Sequence, residues 1–166
     1  MPFTPFHFGP GLLTKSLLPR KFSLTIFITT QILIDAEVVW NLLQGKERLH
    51  TLFHTYLGSC IVLLIIFIFN YVYSCVRRRI FSLNQLLKMT PIKTDILLIS
   101  ALLGAWSHVF LDSIMHDDIT PLWPFSDGNS MLNLISILWL HLGCLISAVM
   151  AIPIWYFRTK KEQRWS

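Results

Sequence analysis

Three cysteines in 166 residues, with no CxxC among them, exclude the two scaffolds that cysteine usually builds. Cys60, Cys75 and Cys144 sit inside apolar runs and read as small buried hydrophobes. Neither a disulfide framework nor a zinc knuckle organises this chain. Internal repeats and low-complexity tracts are also missing, which sets aside solenoids and disordered arrays. The N-terminal stretch lacks the basic-then-apolar order of a cleaved signal: Pro2, Pro5 and Pro10 punctuate it, and Lys15 is its one cation before Pro19. Residues 116–130 contain no Lys or Arg.

Apolar side chains are what the sequence has in quantity. They make up 54% of the chain, against about 45–50%, glycine included, in soluble domains. Mean hydropathy is positive. The net charge of +5 would suit a nucleic-acid partner, but Lys and Arg lie between the apolar runs, as membrane-flanking residues do. No nucleic-acid partner is expected; the expected partner is the lipid bilayer.

Four runs are long enough to span a hydrocarbon core, about twenty residues each: 22–43, 55–76, 96–115 and 131–157, the last with a possible kink at Pro153. Leu12 to Leu18 is too short to span and predicts an interfacial or re-entrant helix ended by Pro19. The expected fold is all-α: one integral membrane domain over 1–166, a four-span transmembrane helical bundle with a short N-terminal helix. Twelve of the fourteen Lys and Arg fall on one side of these spans; only Lys46 and Arg48 fall on the other. The excess predicts cytoplasmic termini and a multi-pass protein of the bacterial inner membrane.

That topology brings chemistry to one face. Asp35 and Glu37 lie toward the outer end of span one. His50 and His54 lie in the outer loop or at the start of span two. His108, Asp112 and His116 recur every four residues at the outer end of span three, one stripe on a helix. An Asp at the bilayer centre costs about 2.5–3.5 kcal/mol by insertion scales, so agreement in depth among three segments argues for a shared site. Asp35 and Glu37 point about 200° apart on a regular helix, so both cannot face one ion unless the helix ends or bends there.

Imidazole and carboxylate together suit zinc, and also manganese or iron. His50/His54 and His108/Asp112 are i,i+4 pairs that could complete one shell. With Asp35, Glu37, His7 and His116 there are donors for two ions. Plainer readings stand beside this one. His50 and His54 could cap a loop at the headgroups, Asp35 and Glu37 could pair with Lys46 and Arg48, and His141 could be a packed core residue. His7 joins the site only if its segment re-enters the bundle.

Three stretches together resemble bacterial membrane-bound metal-dependent hydrolases, a family distantly similar to the all-α zinc-dependent phospholipases C. They are Met1-Pro-Phe-Thr-Pro-Phe-His-Phe-Gly9, His50-Thr-Leu-Phe-His54 with Thr55, and Ser107 to His116 with Pro121-Leu-Trp-Pro-Phe-Ser126. The resemblance covers about residues 1–130. It implies a helical bundle with metal ligands at His7, Asp35, His50 or His54, His108 and Asp112. The sequence departs from the family pattern in two places. Ile34-Asp-Ala-Glu37 replaces Pro-Asp-x-Asp, and the histidines at 50 and 54 are four apart rather than five, without Arg-Gly between them.

The function expected is a membrane-embedded metal-dependent hydrolase acting on a phosphoester or lipid-linked ester at the outer face. Its ligands would be His108, Asp112, His50, His54, Asp35 and His7. Glu37 would be a ligand or general base, and His116 a supporting group or second-metal ligand. The alternative is a non-enzymatic ion or proton carrier or assembly factor, with Asp35 and Glu37 as pathway residues.

Overall fold

A computed structural model describes residues 5–79 and 92–163. Most of the expected basic loop, Lys88 with it, lies outside the described residues, as do Arg164 and the first four residues of the N-terminal motif. A 3-10 turn, Pro5–His7, leads into α1 (Phe8–Leu17). Four long helices follow: α2 (Leu24–Leu43), α3 (Tyr56–Arg79), α4 (Thr94–Met115) and α5 (Ile137–Gln163). The described residues contain no strand. All four long helices are long and apolar enough to cross a membrane.

The helices divide by burial. In α2 and α4, 39% of the most apolar window is buried, against 17% in α3 and α5. Thus α2 and α4 form the centre, while α3 and α5 give most of their surface to lipid. The buried stripe of α4 shows why: Leu97, Ala101, Gly104, Ala105, His108 and Asp112 recur at helical spacing, and Ala101, Gly104 and Ala105 are small enough for close packing. A Cβ on Gly104 would lie 2.8 Å from the Phe27 carbonyl oxygen, so only glycine lets α4 meet α2 there. The Ser23 side chain caps α2 by accepting from the Ile26 amide, and the Ser23 amide donates to Ser100 Oγ on α4 (2.8 Å).

The short α1 packs into the bundle. It runs alongside α5: Phe6 meets His141, and Gly9 touches the Cys144 backbone. At its other end Arg158 donates to the Ser16 and Leu17 carbonyls. It therefore descends the bundle in the direction of α5, beginning at the depth of His141. A Cβ on Gly9 would come within 2.0 Å of the Cys144 carbonyl oxygen, which explains glycine at this contact.

The last helix begins at Ile137 rather than near 131. Residues 129–133 are used instead to finish α4. Asn129 Nδ2 donates to the Ser113 and His116 carbonyls, and the Asn133 amide donates to the Ile114 carbonyl. These bonds satisfy orphan carbonyls of the helix that carries His108 and Asp112. Asn133 has φ 58°, a left-handed conformation that asparagine tolerates. The helix α5 continues through Pro153.

Candidate metal centre

Four of the expected residues meet at one end of the bundle. Asp35 comes from α2, His54 from the loop before α3, and His108 and Asp112 from successive turns of α4. One donor atom from each lies within 4.8 Å of the others, and all four residues are buried. His108 Nε2 is 3.1 Å from Asp112 Oδ2 and 3.2 Å from Asp35 Oδ1. His54 Nε2 is 3.6 Å from Asp112 Oδ2 and 3.9 Å from Asp35 Oδ1.

These separations have a physical reading. Donors at 2.0–2.1 Å around a tetrahedral ion would be about 3.3 Å apart, close to what is seen. Despite the short distances, Nε2 of His54 and Nε2 of His108 make no hydrogen bond. Atoms so close, buried and without bonding geometry to each other fit a set converging on a shared cation. Charge points the same way. Among the described residues, the ion-pair contacts of Asp35 and Asp112 all come from histidines. Buried carboxylates need compensating positive charge, at a cost of several kcal/mol each without it, and a shared cation or protonated imidazoles would supply it here. The donor set therefore fits a divalent ion.

His7 completes the wall. Its Nε2 is 3.5 Å from Asp112 Oδ1, its ring meets that of His108 edge-on, and neither ring nitrogen has a hydrogen bond. A neutral imidazole there would have a lone pair to donate. The packing of α1 against α5 is what carries His7 to the site.

Glu37 stands behind His54, not in the centre. Its carboxylate accepts from the Thr51 amide and hydroxyl and the Phe53 amide, and it lies 3.2 Å from His54 Nδ1. Asp35 and Glu37 thus approach opposite nitrogens of one ring, with no break in α2. A carboxylate on Nδ1 fixes the ring and leaves Nε2 toward the ion. Burial opposes a charge on His54, but Asp35 and Glu37 outweigh it and raise its pKa.

His50 is not brought into this group. It pairs with Asp118, Nδ1 to Oδ1 at 2.7 Å, and its ring stacks on His116 with centroids 4.3 Å apart at 29°. Asp118 Oδ2 also accepts from the Leu49 and His50 amides. The donor atoms of His50, His116 and Asp118 lie within 4.8 Å of one another. Nearly parallel rings, however, direct their lone pairs alongside each other rather than at one point. This second cluster joins the two loops at the mouth and borders the first through His54, whose ring is 4.6 Å from that of His50.

Lys46 and Arg48 do not pair with the acids of α2. Lys46 Nζ donates to Asn41 Oδ1, and Arg48 donates to the Asp118 carbonyl and to Thr120 Oγ1. His141 packs at a tilt on Phe6, 4.7 Å between centroids, and stays out of the cluster. Sequence reasoning gave Asp118 no role. It lies in a polar loop at no helical spacing from His50, so only the tertiary contact exposes it.

Fold and site together define a multi-pass helical membrane protein with a buried carboxylate–imidazole centre near one end of its spans. The chain belongs to the YdjM inner membrane protein family, whose model matches residues 13–166. His7 lies ahead of the matched region. No curated protein matches the chain, and no solved structure does.

Proposed function

We propose that this inner-membrane protein is a metal-dependent hydrolase of a phosphoester or lipid-linked ester, of the kind its motifs resemble. The observation that carries the reading is the buried quartet Asp35, His54, His108 and Asp112, with unbonded imidazole nitrogens facing two carboxylates. These residues would hold the ion, zinc first and manganese or iron as alternatives, with His7 beside them. Bound there, a divalent ion supplies Lewis-acid polarisation of a phosphoryl or carbonyl oxygen and an acidified water.

The protein's own groups have separate tasks. Glu37 holds His54 in one orientation, and with four contacts to the 51–54 segment it is a positioning residue rather than a free base. Asp118 does the same for His50. His116, only partly buried at the mouth, would carry a proton to or from a leaving group. The engagement of Glu37 also weighs against the carrier reading, in which it would line a pathway.

The charge count supports a site on the outer face. A reporter fused after Lys88 is expected to read cytoplasmic and one inserted at Ser126 external; the reverse would move the site to the cytoplasmic face. Activity is tested on purified protein in nanodiscs with a panel of lipid phosphoesters. Turnover that is abolished by chelation and restored by zinc or manganese is expected. Metal-loaded protein inert toward the whole panel would contradict a hydrolase.

A further inference from the structure

Two members of the quartet are recessed, while Asp112 lies in the last turn of α4 and His54 in the loop before α3. His108 lies seven residues, and Asp35 eight, inside the site-end termini of α4 and α2, about 10–12 Å along each helix. A bond cleaved there must be drawn below the headgroup level, and whatever chain it carries has to lie somewhere apolar.

Two adjoining hollows on the α1/α5 face offer that place. The upper one, about 270 Å³, is bordered by Pro5, Phe6, Gly9 and Leu145. The lower one, about 590 Å³, is bordered by Ser16, Ile152 and Trp155. Both are lined by Leu12 and Ala148, so they adjoin along the α1/α5 seam and are taken together as one groove. Glycine and alanine create the concavity: Gly9 lets α1 touch α5, and Ala148 and Ala151 leave the floor low. Its upper end begins at Pro5 and Phe6, the residues directly before His7. From the depth of His141 to Trp155 it follows about 21 Å of α5, most of a hydrocarbon core about 30 Å thick.

We propose that this groove seats the single long hydrocarbon chain of the lipid substrate, with the head at the metal centre and the chain running down toward Trp155. The inference rests on the hydrolase reading of the site. Polarity is the discriminating point. A lipid resting there from the opposite leaflet would lie the other way, head beside Lys15 and Trp155. Two cations at that end of the groove, Lys15 and Arg158, are already engaged. Lys15 Nζ donates to the Pro19 and Phe22 carbonyls at 2.7 and 2.8 Å, and Arg158 to the Ser16 and Leu17 carbonyls. They close the end of α1 rather than offer an anion seat.

The test uses the full chain in nanodiscs and two photoreactive long-chain alkyl phosphates, one with its diazirine near the phosphate and one at the chain end. Cross-links are mapped by peptide mass spectrometry. Head-proximal label is expected on residues 5–9 and Leu145, and chain-end label on Ile152 and Trp155. Ala148→Trp should cut both about tenfold, the loss when roughly two methylenes lose their contact, with labelling of α3 unchanged. If that variant does not fold, Ala151→Leu should cut the chain-end label alone. Reversed polarity, or label spread evenly over Ile61 and Leu64 of α3, overturns the proposal. Either result beside a metal-loaded, active protein removes the chain seat and leaves the site reading intact. The expected map on a protein that binds no metal removes the hydrolase and keeps the seat.

Discussion

Glu37 and Asp35 grip one imidazole from its two sides: Glu37 Oε2 lies 3.2 Å from His54 Nδ1, and Asp35 Oδ1 lies 3.9 Å from Nε2. Glu37 is therefore expected to act on metal affinity through His54. Glu37→Ala should weaken metal binding by about 10–100-fold, as loss of a carboxylate behind a histidine ligand does. Glu37→Gln, which can still accept from the Thr51 and Phe53 amides, should recover part of it. Competition titration with a chromogenic chelator measures both. Unchanged affinity in Glu37→Ala would mean that His54 is not a ligand.

Gly9 sets the depth of His7. Gly9→Ala should push α1 away from α5 and destabilise the protein by about 1–3 kcal/mol, as overpacking does, because the added Cβ would meet the Cys144 carbonyl oxygen at 2.0 Å. Gly143→Ala is the control. A Cβ there meets nothing within 4 Å, and alanine favours helix by up to about 1 kcal/mol. Thermal unfolding in detergent should show a lower midpoint for the first and an equal or higher one for the second. Equal midpoints would contradict the packing described for α1.

The latch at the mouth has a pH dependence whose sign is fixed. Burial, then the neighbouring His54 and His116, lowers the His50 pKa from 6.5 to about 4. Between those values the unfolded chain binds the proton and the folded one resists it, so stability falls as pH drops from about 6.5 to about 4. Asp118 extends the loss to lower pH. Its pKa is also lowered: burial opposes this, but the His50 and Leu49 contacts prevail. The unfolding midpoint of the wild type should drop more steeply than that of His50→Gln between pH 7 and pH 4.5. Parallel curves would show that His50 does not titrate against the fold.

Much of this was legible in the sequence because both signals are periodic. Four apolar runs gave four helices, and the i,i+4 relation of His108 and Asp112 placed both on the inner face of α4. Residues held by tertiary contact behaved differently. His50 and His54 share the same spacing, yet they lie in a loop, where spacing does not set direction. One turns to Asp118 and the other to the quartet. The apolar Met131, Leu132, Leu134 and Ile135 extend the fourth run past the true start of α5, while Asn129 and Asn133 turn that stretch back onto α4. The role of Glu37 follows from side-chain reach: on a regular helix it points away from Asp35, and only its length brings it to the far edge of His54.

The most direct test of the central claim is metal content by mass spectrometry on detergent-purified protein, wild type beside His108→Ala, Asp112→Ala and His141→Ala. At least one zinc or manganese per wild-type chain is expected. It should be lost in His108→Ala and Asp112→Ala and retained in His141→Ala, with all four proteins helical and monodisperse. A folded wild type that stays metal-free after reconstitution with zinc, manganese and iron would contradict the metal centre and every function built on it.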